Sequence, residues 1–358
     1  MIWCPSILEL PPPPEGKVGW PWAAETSLLA EQTLFQKVSG ERPSSFWPSI
    51  SIVTPSYNQG QFIEETIRSI LLQGYPNIEF IIVDGGSNDE SVPIIKKYSR
   101  WLKVWVSEPD SGQSHAINKG LLYCEGEIFN WINSDDLLTP GALYEVALAW
   151  KKEPHTIIAG RVIDFDEDGN ETLIKPKALS LRNFVNFQAA RKDQMTWHQP
   201  GTFLPRVKVM QVGGVQENLK FNMDHFLMIE LLRICKVVSS PVVLARFRLH
   251  QHSKTVSIGH LLFKLERFRK LSELSFSSDL ITEKELKQEG VAILFACASV
   301  KREFGFLHRY SYYGQALLVS PIATAVYVVR RSVLRGPLKF VLIHAKKLVR
   351  AAKDSLAR

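Results

Sequence analysis

Apolar and polar positions fall into alternating blocks over residues 49–164, and the blocks predict strand followed by helix, repeated. Apolar runs at 50–54, 78–83, 103–107, 128–132 and 156–164 have the length and Ile/Val content of strands covered on both faces. After the first run, Ile63, Ile67, Ile70 and Leu71 recur at i, i+4, i+7 and i+8, one face of a helix. Gln73-Gly74-Tyr75-Pro76 should close that helix, glycine supplying the left-handed turn and proline blocking continuation. Further helices are predicted from Ser91 to Tyr98, Gln113 to Tyr123 and Pro140 to Trp150. Strands alternating with helices imply an α/β fold built on a parallel or mixed sheet.

The flanks read differently. Residues 1–48 hold Pro11 to Pro14, Gly16, Gly19, Pro21, Pro43 and Pro48, the composition of an extended strap. Trp3, Trp20, Trp22 and Trp47 are large apolar surfaces, so the strap is expected to lie against the body. Beyond residue 255 the pattern is helical, with charged helices from His260 to Glu273 and from Thr282 to Phe304. The expected organisation is therefore a strap at 1–48, a catalytic domain at 49–255 and a helical extension at 256–358.

Charge sharpens the picture of the C-terminus. The formal net charge is +7, yet from Arg330 onward nine Lys or Arg face only Asp354, so the body is close to neutral. Leu338, Val341, Leu342, Ala345, Leu348, Val349 and Ala352 share one helical face, with Lys339, Lys346, Lys347, Arg350 and Lys353 around the rest. Such a basic amphipathic helix suits an anionic membrane surface, and equally suits packing on a domain with its cations in solvent. No nucleic-acid-binding motif accompanies it. Cys4, Cys124, Cys235 and Cys297 are scattered without metal spacing, and neither a secretory signal nor a membrane-spanning run is expected, which favours a cytoplasmic protein, with contact at the membrane face.

Candidate chemistry lies where apolar runs end. Ile128 to Ile132 leads into Asn133-Ser134-Asp135-Asp136, the first run into Thr54-Pro55-Ser56-Tyr57-Asn58, and the second into Asp84-Gly85-Gly86-Ser87-Asn88-Asp89. Ligands in doubly wound sheets sit at the carboxyl ends of the strands, so the three polar ends should converge. Adjacent carboxylates repel unless a cation or hydrogen-bond donors lie between them. Neither a Gly-x-Gly-x-x-Gly nor a Walker loop is present.

These motifs, with Asp110-Ser111-Gly112-Gln113-Ser114, resemble the family 2 glycosyltransferases of the GT-A-type fold, and the resemblance runs from about residue 49 to 255. It continues through His198-Gln199-Pro200-Gly201, Val212-Gly213-Gly214-Val215 and Phe221-Asn222-Met223-Asp224. It ends with Arg248-Leu249-His250-Gln251-His252-Ser253. Phe226 stands where relatives often carry a second Asp, leaving Asp224 as the lone carboxylate there.

The resemblance implies a GT-A-type Rossmann-like mixed sheet and a nucleoside diphosphate sugar donor. It also implies Mg2+ or Mn2+ and inverting transfer to a hydroxyl of a glycan or lipid-linked acceptor. By it, Thr54, Pro55, Tyr57, Asn58, Asp84 and Asp110 hold the nucleotide, Tyr57 and Asp84 at the base. Asp135 serves the ribose or a second metal contact, and Asp136, with His250, holds the metal. Asp224 is the general base. His198 and Gln199 contact the acceptor, and Arg248 meets phosphate or fixes a carboxylate. Each has a plainer reading as turn, cap or core residue; Asp89 reads as a helix cap and Lys119 as a solvated helix residue. The rival classes are a nucleotide-sugar-binding scaffold without turnover and a nucleotidyltransferase.

Overall fold

The computed structural model describes residues 4–23, 46–251, 253, 260–274, 280–299 and 319. They form two compact units, one of Met1–Ser180 with Gln194–Gln251 and one of Leu181–Asp193 with His252–Arg358. The strap, expected as a separate segment at 1–48, belongs to the first unit. Residues 181–193 group with the C-terminal unit.

The first unit begins with β1 (Ile50–Ser56), α1 (Ile63–Leu71), β2 (Ile78–Asp84), α2 (Ser91–Tyr98), β3 (Val104–Ser107) and α3 (Gln113–Leu121). It continues with β4 (Ile128–Trp131), β5 (Leu137–Leu138), α4 (Ala142–Lys152), β6 (Ile157–Asp166) and β7 (Glu171–Ile174). Two short helices of the second unit follow, α5 (Leu181–Val185) and α6 (Phe187–Lys192). The chain then returns through β8 (Thr202–Pro205), α7 (Arg206–Gln211), α8 (Met223–Leu232) and β9 (Val237–Leu249). Strands are ordered β3-β2-β1-β4-β8-β6-β9-β5, with β7 on β6.

The first four strands are parallel, β8 is antiparallel to both β4 and β6, and β9 runs parallel to β6. The order reverses between β1 and β4, which opens a crevice at their carboxyl ends. Hydrophobic patterning explains the core. Ile63, Ile67, Ile70 and Leu71 are all fully buried against Ile50, Ile52, Phe80 and Ile82. Burial of each such side chain stabilises by about 1.5–3 kcal/mol.

α1 ends as expected, with Gly74 at φ 62°. The strands extend one or two residues past their predicted ends, to Ser56, Asp84 and Asp166, because polar residues pair there as well as apolar ones. Described strap residues do lie on the body: Leu10 and Trp22 are buried.

In the second unit α9 (His260–Glu273) and α10 (Glu283–Ser299) match the predicted charged helices, residues 300–304 lying outside the described ones. The Asn186 side chain caps α6 by accepting from the Gln188 and Ala189 amides. Arg267 lies over the Phe187 ring, and burial lowers its guanidinium to about 10. The basic helix expected at 338–352 lies outside the described residues. Among the described residues no helix is long and apolar enough to cross a membrane, and Cys4, Cys124 and Cys235 are free thiols.

Candidate active site

Three strand ends are laced together by one carboxylate. Asp84, fully buried at the end of β2, accepts from the Gly86 amide (3.1 Å), the Ser87 amide (2.9 Å), the Ser87 hydroxyl (2.5 Å) and the Ser107 hydroxyl (2.7 Å). Three of those donors fall on Oδ2 and only the Ser87 hydroxyl on Oδ1. Ser87 Oγ in turn accepts from the Asn58 amide, and Asn58 Oδ1 from the Asn88 amide. Asp84 therefore anchors the loops.

Asn58 takes the left-handed conformation at φ 52°, which asparagine tolerates. Beside it Tyr57 leaves 62% of its surface exposed, an aromatic face open at the crevice. Thr54 and Pro55 are buried within β1, and the Thr54 hydroxyl finds no hydrogen-bond partner. Asp110 accepts from the Gly112 amide at 2.7 Å and overhangs Gly85, where an added Cβ would come within 2.9 Å of its Oδ2. Asp89 accepts from the Ser91 and Gly60 amides one residue ahead of the α2 N-cap, Glu90, and Lys119 pairs with Glu108.

The two adjacent aspartates after β4 part company. Asp136 is fully buried; its Oδ1 accepts the Arg248 amide at 3.1 Å and its Oδ2 the Asn133 side-chain amide at 3.0 Å. Burial first, then the neighbouring Asp135 charge, raise its carboxyl well above the ordinary range, against the two hydrogen bonds. Asp135 is partly exposed, and its Oδ2 lies 3.0 Å from His250 Nε2.

Arg248 holds the turn between them. Its Nε donates to the Asp135 carbonyl (2.9 Å) and its Nη2 to Glu65 (2.8 Å), with the guanidinium over Phe62 and Phe165. Asp136 accepts one hydrogen bond on each oxygen inside the protein, whereas Asp135 keeps partial exposure beside the buried His250 imidazole. Arg248 pairs with the Glu65 carboxylate.

The acceptor-side motifs arrive by their own contacts. Asn118 of α3 grips the loop before α8: its Nδ2 donates to the Val215 carbonyl and Glu217, and its Oδ1 accepts the Val215 amide. Ser114 reaches the Leu219 carbonyl at 3.4 Å. Beyond that loop Asp224 stands half-buried in the first turn of α8, and Gln113 at the start of α3 donates to Asn133.

Gly214 sits at φ 74°, and a Cβ there would fall 2.5 Å from Asn118 Oδ1. Gly214→Ala is expected to lower unfolding free energy by about 1–3 kcal/mol in urea titration, combining left-handed strain with loss of this grip. Gln199 is buried and donates to Asn130 Oδ1 (2.9 Å) and the Trp131 carbonyl (2.8 Å), so it ties β8 to β4. His198 lies against Phe247, 3.4 Å from Asp164.

Residues 51–211 match the family model for glycosyl transferase family 2. This chain carries a family 2 glycosyltransferase domain. An uncharacterised glycosyltransferase of Rickettsia bellii is 28% identical over 265 residues, covering 72% of this chain and 37% of the relative. One from Mycobacterium tuberculosis H37Rv is 28% identical over 203 residues, covering 56% of this chain and 75% of the relative. The chain thus spans well under half of the Rickettsia bellii protein's length. The fold matches S. aureus TarS 1–349 in complex with UDP-GlcNAc, with TM-score 0.56, 16% identity and coverage of 78% of this chain and 83% of that one.

Within the glycosyltransferase domain the site depends on residues that the motif reading passed over. Glu65, Thr66, Ser107, Asn118, Asn133 and Phe165 each bond or stack on a motif residue. Only Asn133 carried a signal, as a member of the Asn133-Ser134-Asp135-Asp136 motif; the others stand in plain helix or strand. Among the described residues no group of three or more His, Cys, Asp or Glu gathers as a metal cage. One carboxylate oxygen beside one imidazole nitrogen is a donor set that Mn2+ or Mg2+ accepts when phosphate oxygens supply the remainder.

Proposed function

We propose that the protein transfers a sugar, with inversion at the anomeric carbon, from a nucleoside diphosphate sugar to a hydroxyl of a glycan or lipid-linked acceptor. The observation that carries this reading is the Asp135–His250 pair, 3.0 Å apart at the carboxyl edge where the laced nucleotide loops end. Asp135 and His250 hold a divalent cation, and Asp136 is the buried strut that aims Asp135. When bound, the cation offsets the negative charge that builds on the departing diphosphate.

Tyr57 lies along the base, and the 84–88 and 110–112 loops border the nucleotide. Asp224 takes the proton from the acceptor hydroxyl as its oxygen attacks the anomeric carbon and the bond to the diphosphate breaks. One base suffices, because the diphosphate leaves without protonation by a second carboxylate. Pairing a cation site with a single positioned base favours turnover over a binding scaffold.

UDP-GlcNAc is the first donor to try, since the TarS structure of the same fold contains it. A panel of nucleoside diphosphate sugars with Mn2+ should include one that raises the melting temperature. A ligand at a hundredfold its Kd stabilises by about 2.7 kcal/mol. A panel in which no sugar nucleotide shifts melting, and none is slowly hydrolysed, would overturn the reading.

A further inference from the structure

The strap at residues 4–23 is far too tightly fastened for a linker. Arg68, on α1, is fully buried and faces no carboxylate directly. Its Nε donates to the Pro21 carbonyl (3.1 Å), and its Nη1 to the Pro11 carbonyl (2.8 Å) and the Tyr98 hydroxyl (3.2 Å). The guanidinium lies over the Trp22 ring at 5.1 Å, and Tyr98 relays to Glu64. A buried cation is tolerated only with such partners, so the strap carbonyls are part of what keeps α1 in place.

The same helix holds the loop that carries Asp135. Thr66 Oγ1 donates to the Asp136 carbonyl (2.8 Å), Ser69 Oγ accepts the Leu138 amide (3.1 Å), and Gln73 donates to the Thr139 carbonyl (2.9 Å). Glu65 supports Arg248, which holds the Asp135 carbonyl. The strap also reaches this loop directly, through Trp20 Nε1 to the Leu138 carbonyl at 3.0 Å. Leu138 is thus bonded through its amide to α1 and through its carbonyl to the strap.

We propose that the strap is a brace for the cation-holding loop, with Trp20 and Arg68 as positioning residues that set the affinity for the metal-bound nucleotide without touching it. The proposal rests on Asp135 holding the cation.

The test uses the full chain and UDP as probe, titrated calorimetrically with Mn2+ and again in EDTA. Trp20→Phe keeps an aromatic ring, smaller than the indole, and removes the N–H. It should raise the Kd measured with Mn2+ about three- to tenfold, the scale of one lost hydrogen bond, and leave the EDTA value unchanged. Arg68→Lys, which keeps the charge and loses the fork, should act in the same direction with a lower melting temperature. In an Asp135→Ala background Trp20→Phe should have no further effect, since the brace acts through that loop.

An unchanged Kd with Mn2+ in Trp20→Phe, or an equal rise in EDTA, overturns the brace. If Asp135→Ala itself leaves Mn2+-dependent UDP binding intact, the cation assignment fails instead, and the two failures are told apart.

Discussion

Asp135→Ala is expected to cut sugar transfer by roughly a thousandfold, the upper range for removing one preorganised electrostatic partner of a transition state. It should also abolish the part of nucleotide binding that depends on Mn2+. The reason is geometric: Asp135 Oδ2 and His250 Nε2 are 3.0 Å apart, and Asp136 is fully buried with a hydrogen bond on each oxygen. Because Asp135 is partly exposed but partners the buried His250 imidazole, its removal should lower the melting temperature by less than the loss of a fully buried acceptor. Asp136→Asn should do the reverse in character. An amide there turns a donor toward either the Arg248 amide or the Asn133 side chain, and a buried mismatch of this kind costs about 1–3 kcal/mol of stability. Kinetics, calorimetry and thermal melting on the two variants side by side separate a cation ligand from a strut. Equal loss of stability in both would remove the distinction.

Asp224→Asn is expected to lower kcat by about 10²–10⁴, the usual contribution of a positioned general base. The Kd for UDP with Mn2+ should stay at the wild-type value. Asp224 lies in the first turn of α8, beyond the loop held by Asn118, and is separate in sequence and in hydrogen bonding from the Asp135–His250 pair. Asparagine preserves the shape and the capacity to accept one hydrogen bond but does not take a proton. Transfer at near wild-type rate in purified Asp224→Asn would exclude it as the base.

Much of the architecture is legible in the hydrophobic pattern, for reasons particular elements make clear. α1 repeats Ile63, Ile67, Ile70 and Leu71 on one face, and all four are buried. The parallel strands β1, β2 and β4 are covered on both sides, so their sequences are mostly apolar, with Ser51, Glu79 and Asn130 as interruptions. β5 and β8 leave weaker marks, being two and four residues long, and β9 mixes Ser239, Ser240 and Pro241 with its apolar residues.

At the site, the motifs name loops that the fold brings to neighbouring strand ends, but not the partners of each side chain. Asp135 and Asp136 are neighbours in one turn, and what distinguishes them is the Arg248 amide on Asp136, 112 residues further along. Asp84 leads a polar loop, and its bond from the Ser107 hydroxyl comes from another strand. Such assignments depend on partners distant in the chain, which no local spacing encodes.

The separation of Asp135 from His250, 115 residues, bears on how the protein reaches its working state. β1 pairs with β2 across 28 residues, Ile50 to Ile78, whereas β9 must return to lie beside β6 across 80, Ile157 to Val237, after the whole β7–α8 excursion. Closing so long a loop carries an entropic penalty that delays such pairings during folding. His250 follows β9 directly, so the imidazole meets its carboxylate only once this last strand has docked. Metal-dependent nucleotide binding during refolding should therefore recover with the slowest phase, making the pair a reporter of completed assembly.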